Sequence, residues 1–179
     1  YFYDIPLQVI DDNIKMTQNV LAACEHCAKK IIYASSSEVY GPSPKVPTKE
    51  TEPIELHINA TRDSYASSKA IGEFLVKLWA ETHNKSYLIL RPFNTYGPRM
   101  ATNGYGQVIP EFIERIYSGE NFYMFGDGKQ TRSFCYVTDH ANIVADLIKT
   151  SDNQVMNVGY DEEVTIYELA KQIHEIMSV

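Results

Sequence analysis

Residues 30–35, Lys30-Ile31-Ile32-Tyr33-Ala34-Ser35, form a continuous β-prone run in which apolar and polar positions do not alternate. A strand patterned this way is covered on both faces, as in the centre of a parallel sheet, so the run commits the chain to the α/β class. Ligands of open α/β sheets sit beyond the carboxyl ends of the strands. That is where Ser35, Ser36, Ser37 and Glu38 fall, although serines after a strand also serve as turn formers or caps, a reading that suits Ser35. Ser86 to Leu90 repeat the pattern and end at Arg91-Pro92-Phe93-Asn94.

Helical patterns flank these strands. Val9, Ile10, Asn13, Ile14, Thr17, Val20, Leu21 and Cys24 recur at helical spacing and predict a helix over roughly 7–27. A second helix carries Ile71, Phe74, Leu75, Leu78 and Trp79 as its core face, with Ser64 or Asp63 as N-cap. Tyr65 and Lys69 lie four residues apart on it and project into the same space. A phenol titrates at about 10, and a fixed positive charge nearby favours the phenolate, which would turn an ordinary helix pair into a general base. Between strand and helix, residues 41–62 hold four prolines and several charges and predict a long loop.

The 179 residues suffice for one domain with a sizeable core, and a net charge of -7 without any basic run argues against a nucleic-acid or anionic-membrane surface. Apolar runs fall far short of the roughly 20 residues a spanning helix needs, and no signal peptide is recognisable, so the expectation is a soluble cytoplasmic protein. Three cysteines make an odd count. Cys24-Glu25-His26-Cys27 lacks a second ligand pair, so no metal site is expected. The sequence starts without Met, and its glycine pairs, Gly104-x-Gly106 and Gly126-x-Gly128, lack the strand-to-helix context of a dinucleotide loop. We read it as an internal fragment.

Further on, residues 97–107 predict a polar loop, Pro110 to about Ser118 a helix, Phe122 to Phe125 a short aromatic strand, and Gly126-Asp127-Gly128 a turn. Val137-Thr138-Asp139 opens a helix capped by Thr138 or Asp139, Val155 to Gly159 reads as a strand, and Thr165 begins a capped final helix.

Four ordered stretches, Ser35-Ser36-Ser37-Glu38-Val39-Tyr40-Gly41, Tyr65-x-x-x-Lys69, Arg91-Pro92-Phe93-Asn94-Thr95-Tyr96-Gly97-Pro98-Arg99 and Gly126-Asp127-Gly128-Lys129-Gln130-Thr131-Arg132-Ser133-Phe134, resemble the extended short-chain dehydrogenase/reductase family, in its nucleotide-sugar epimerase, dehydratase and decarboxylase branch. The resemblance implies an incomplete Rossmann-type parallel sheet, later strands only, with a smaller α/β substrate-binding lobe. Residues 1–96 would be the C-terminal part of the NAD-binding domain, and 97–179 mainly the substrate lobe, interleaved with it. It implies NAD as cofactor, a nucleotide-sugar substrate and a homodimer formed through the helices at 7–27 and Tyr65.

Residue by residue, the resemblance makes Ser36, Tyr65 and Lys69 catalytic, together with Glu38 and Ser37. It places Asn13, Ala34, Ser35, Tyr65, Lys69, Pro92 and Phe93 at the cofactor, and Asn94, Arg99, Val108, Phe125 and Arg132 at the substrate. Asn94 and Arg132 would grip the diphosphate, though a surface ion pair is an alternative use of Arg132. The implied reaction oxidises C4 of the sugar to a ketone, after which the product is an epimer, a dehydrated sugar or a decarboxylated one. Glu38 resembles dehydratases and uronate decarboxylases. Ser37 stands where dehydratases usually carry aspartate, which moves the pattern towards decarboxylases and leaves some 4-epimerases compatible. The reading from another class is a non-catalytic NAD-binding scaffold.

Overall fold

A computed structural model describes residues 4–41, 45–100, 107–121, 123–124 and 126–177. These residues divide into two units: 1–93 with 141–158, and 94–140 with 159–179. The chain crosses from one to the other after Phe93 and returns for residues 141–158 because that segment supplies a strand to the first unit.

The first unit holds helix α1 (Pro6–Cys24), strand β1 (Lys30–Ala34), a 3-10 turn η1 (Ser37–Tyr40), helix α2 (Asp63–Thr82) and strand β2 (Ser86–Pro92). The described residues of the intervening loop, 45–62, carry no helix or strand. Strand β1 pairs in parallel with β2, Lys30 opposite Ser86 and Ala34 opposite Leu90. The third strand of this sheet, β6 (Gln154–Val158), pairs in parallel with β2 on its other side, so among the described residues β2 is central and β1 lies at the edge, with Ile32 exposed. Its place at the edge among the described residues accords with an incomplete sheet of later strands only.

Pro6 opens α1 at a position where a missing N–H costs nothing. Helix α2 departs from its expected anatomy. Its N-cap is Arg62 without a side-chain capping bond, and the Asp63 carboxylate accepts instead from the His57 amide at 2.7 Å. The buried face is Ser64, Ala66, Ser68, Ala70, Gly72, Glu73, Val76 and Ala80, whereas Ile71, Phe74 and Leu78 are exposed, Phe74 at 61%. Leu75 and Trp79 pack against Leu21, Ile31, Val76 and Ile89. At Gly72 the inner face has no room for a side chain, because the Tyr33 side chain of β1 lies against it: a Cβ there would stand 2.0 Å from the Tyr33 hydroxyl. Gly41 ends η1 at a φ of 60°, where a Cβ would meet the Glu55 carbonyl at 2.5 Å.

The second unit contains β3 (Thr95–Tyr96), α3 (Val108–Tyr117), β4 (Thr131–Arg132), β5 (Cys135–Tyr136), the start of α4 (Val137–Thr150), β7 (Val164–Thr165) and α5 (Ile166–Met177). Its core joins Phe112 of α3 to Ile166, Leu169, Ala170 and Ile173 of α5. Strand β3 pairs with β5, and β4 with β7. Helix α4 starts at Val137, so Thr138 and Asp139 lie in its first turn and not at a cap. The final helix is capped as expected: Thr165 accepts from the Glu168 amide, and Glu168 accepts from the Thr165 amide and hydroxyl. Tyr123 and Met124 are not in a strand, while Phe122 and Phe125 lie outside the described residues. Among the described residues no helix is long and apolar enough to cross a membrane.

Candidate active site

The carboxyl end of β1 and the first three turns of α2 meet residue for residue. The Lys69 ammonium donates to the Ala34 carbonyl at 2.8 Å, the Ser35 hydroxyl donates to Glu73 at 2.5 Å, and Ser36 shares a side-chain hydrogen bond with Tyr65. Helical spacing explains the match, since Tyr65, Lys69 and Glu73 follow one another at intervals of four on one face. Ser36 is extended and caps η1, its oxygen accepting from the Glu38 amide at 3.2 Å. Ser37 opens that turn and Glu38 follows it. The Glu38 carboxylate is paired with Arg62 at 3.1 Å.

Burial raises the Tyr65 phenol above its usual value, the nearby Glu38 carboxylate raises it further, and only the bond with Ser36 works the other way. Lys69, 5.7 Å from the Tyr65 ring centroid and 5.3 Å from that of Tyr33, is lowered by burial. The sign at Tyr65 is thus opposite to the one expected from a Lys69 charge alone. The ammonium is turned to a carbonyl on β1, and the carboxylate of Glu38 acts on the phenol against it.

Asn13 of α1 donates to the Ser68 hydroxyl at 2.8 Å, and Ser68 donates to the backbone carbonyl of Tyr65 at 2.7 Å. The asparagine therefore braces the turn that carries Tyr65. Asn13, Asp12, Lys15, Met16, Asn19, Val9 and Tyr65 line one cleft between the two helices. Pro92 ends β2, and Phe93 is held by its amide on the Val158 carbonyl and stacks on Tyr40 with centroids 6.2 Å apart.

In the second unit, the Asn94 side chain spends one amide N–H on the Ser133 carbonyl at 2.9 Å, while its backbone carbonyl accepts from the Cys135 amide. Arg99 has a φ of 68°, Val108 opens α3, and Arg132 lies exposed on β4 with one N–H on the Thr131 carbonyl. Phe125 lies outside the described residues.

Sequence reasoning passes over three charged residues of the first unit. Glu73 and Arg91 form a bidentate ion pair at 2.9 and 2.6 Å with both side chains buried, and Arg62 holds Glu38. The signal for the first two is a charge inside an otherwise apolar segment, Glu73 in Ala70-Ile71-Gly72-Glu73-Phe74-Leu75 and Arg91 after Leu88-Ile89-Leu90. Burial lowers the Arg91 guanidinium, but its hydrogen bonds to Glu73 and Tyr40 and their charges outweigh that and raise it well above the usual range.

With this geometry in view, residues 3–159 match the NAD dependent epimerase/dehydratase family. The chain is 34% identical over 171 residues to a UDP-N-acetyl-alpha-D-glucosaminuronate decarboxylase of Bacillus cytotoxicus, covering 95% of this chain and 53% of that protein. It is 33% identical to UDP-glucuronic acid decarboxylase 3 of Arabidopsis thaliana over 97% of this chain and 50% of the relative. Among solved structures, a UDP-N-acetylglucosamine 4-epimerase from Methanobrevibacter ruminantium in complex with UDP-N-acetylmuramic acid superposes with a TM-score of 0.90 at 35% identity, over 97% of this chain and 55% of that one. The chain spans about half the length of the curated relatives it matches.

Proposed function

Because the chain belongs to the NAD dependent epimerase/dehydratase family, we propose that the whole protein oxidises C4 of a nucleotide-activated sugar to a 4-keto intermediate, with Tyr65 exchanging the C4 hydroxyl proton. The observation that carries this reading is the meeting of Ser36, Tyr65 and Lys69 at the end of β1, from two segments far apart in sequence. When bound, NAD supplies the hydride acceptor. Lys69 suits its ribose: an ammonium has three donors, and among the described residues its hydrogen bond is to Ala34, which leaves donors for vicinal hydroxyls. Asn13, Ala34, Ser35, Pro92 and Phe93 complete the proposed cofactor site. The Ser35 hydroxyl, already given to Glu73, contributes by placing backbone.

Ser36 bonds the reacting oxygen, first as hydroxyl and then as ketone. With its raised affinity Tyr65 holds its proton at neutral pH, the form that protonates a ketone oxygen as C4 is reduced. Taking the C4 proton requires the phenolate, which a cation brought beside it favours. Asn94, Arg99, Val108, Phe125 and Arg132 are the proposed contacts of the nucleoside diphosphate and sugar.

Among the three fates of the ketone, we favour loss of a C6 carboxylate. Glu38 two residues after Ser36, with Ser37 between them in place of an acid, supports a uronate substrate. A 4-ketone makes a C6 carboxylate β to a carbonyl, so the electrons of the C5–C6 bond have a place to go. A cytoplasmic homodimer completes the proposal: the exposed Leu7, Met16, Val20, Phe74 and Leu78 on α1 and α2 support self-association, and the free state of Cys24, Cys27 and Cys135 supports a reducing compartment.

The test is incubation of the full-length protein with NAD+ and a panel of nucleotide sugars that includes uronates, with products followed by mass. Loss of carbon dioxide from a nucleotide uronate without accumulating NADH is the expected result. An isomer of unchanged mass identifies an epimerase, stoichiometric NADH a dehydrogenase, and no product at all contradicts the reading.

A further inference from the structure

Glu73 is only 6% exposed, and its carboxylate takes three hydrogen bonds: Ser35 Oγ and Arg91 Nε on one oxygen, Arg91 Nη2 on the other. Arg91 is itself 5% exposed, lies 4.7 Å over the Tyr40 ring and reaches the Glu50 carbonyl at 3.3 Å. Arg91 alone would satisfy the carboxylate. The third donor is the informative one, because Ser35 is 3% exposed, is fixed by its amide on the Leu90 carbonyl, and immediately precedes Ser36. A buried ion pair is in general weak evidence for stability, since apolar replacements often serve as well. Its use here lies in what it holds.

We propose that Glu73 is a positioning residue for the Tyr65–Ser36 pair, acting through the Ser35 hydroxyl to fix the peptide from which Ser36 projects. The proposal rests on the functional reading above for its kinetic consequence, but its structural consequence can be read without turnover. Ala34, Ser35 and Ser36 are tied in succession to Lys69, Glu73 and Tyr65, and the Glu73 tie is the only buried one of the three side-chain anchors on α2. Releasing it lets the strand end shift relative to the helix, and a hydrogen bond weakens steeply with small errors of distance and angle. The Ser36 bond is what opposes burial and Glu38 at the Tyr65 phenol, so a looser strand end leaves the phenol with a higher proton affinity. The titratable and charged groups around that phenol are Glu38, Lys69, Tyr33 and, from α1, Asp12 and Lys15. Ser35→Ala removes none of these groups, although Lys69 and Glu38 are bonded to the same strand end, at Ala34 and Ser36.

Glu73→Gln removes the counter-charge of a buried guanidinium and destabilises the fold, so Ser35 is the position to vary. Ser35→Ala keeps the ion pair and removes the tie, whereas Ser35→Thr keeps the hydroxyl. In the full-length protein labelled with 13C at the tyrosine ring carbon bearing oxygen, the Tyr65 signal is assigned by its loss in Tyr65→Phe and titrated against pH. The expected result is a midpoint about half a pH unit or more higher in Ser35→Ala and restored in Ser35→Thr. With a turned-over nucleotide sugar, kcat falls about tenfold in Ser35→Ala with KM unchanged, as for a misplaced but intact donor. Equal Tyr65 midpoints in wild type and Ser35→Ala, with only a lowered Tm, overturn the proposal. If the wild type turns over no nucleotide sugar, the functional reading fails, and the titration still decides the positioning role.

Discussion

Glu38 lies close enough to Tyr65 for its carboxylate to raise the phenol, while its own partner is Arg62, 3.1 Å away at the start of α2. The acid/base behaviour of Tyr65 is therefore set from two sides. Burial and Glu38 hold the proton on; Ser36 eases it off.

Glu38→Gln removes one of the two raising influences and leaves the other. The Tyr65 phenol then titrates at lower pH than in the wild type, and any limb of the rate profile that reports phenolate moves to lower pH with it. Tyrosinate absorbance, taken as the difference from Tyr65→Phe, measures the shift. An unchanged or higher midpoint counts against the assigned influence of Glu38.

Gly72→Ala tests the packing of the Tyr33 side chain against α2. Alanine in a helix interior gains about 0.5–1 kcal/mol over glycine, but here its Cβ would lie 2.0 Å from the Tyr33 hydroxyl and 2.4 Å from the ring carbon that bears it. Overpacking of that kind costs about 1–3 kcal/mol or more, so the net effect is destabilising. A urea midpoint below that of the wild type is the expected result. A higher midpoint would mean that the Tyr33 side chain moves aside easily.

His140 bears on the second unit. Its Nδ1 is 2.9 Å from the Thr95 hydroxyl, and burial lowers the imidazole below its usual value of 6.5. The unfolded chain then binds the proton more readily than the folded one, so the contribution of this group is present above the unfolded value and is lost as pH falls through the folded one. Urea midpoints between about pH 7 and pH 5 should fall less steeply in His140→Gln than in the wild type. Parallel slopes would remove His140 from the account.

The parts of the site legible in the sequence are those whose chemistry sits in residue types at short, fixed spacing. Tyr65 and Lys69 share a helix face whatever surrounds them, and Ser36 follows an apolar run that ends where sheet ligands bind. The strands are legible for the same reason: β1 and β2 are unbroken apolar runs, and the structure moves their ends by only one or two residues. What is hidden depends on partners distant in sequence. Ile71, Phe74 and Leu78 form a good helical stripe, yet α2 turns Ala66, Ala70 and Gly72 inward, and at Gly72 the Tyr33 ring fills the space a side chain would need. Glu73 has no meaning until Ser35, 38 residues earlier, and Arg91, 18 later, are brought to it. The direction of the Tyr65 shift is hidden too, since it depends on where the Lys69 ammonium turns and how near the Glu38 carboxylate stands.

The most direct test of the whole account is turnover of a nucleotide sugar by full-length Tyr65→Phe. The substitution removes one hydroxyl, so circular dichroism and the urea midpoint should stay close to those of the wild type. Turnover should fall by at least about 10²–10⁴-fold, the range for loss of a positioned proton-transfer group. A folded Tyr65→Phe protein with near-normal turnover would contradict the assignment of this phenol as the proton-exchanging group.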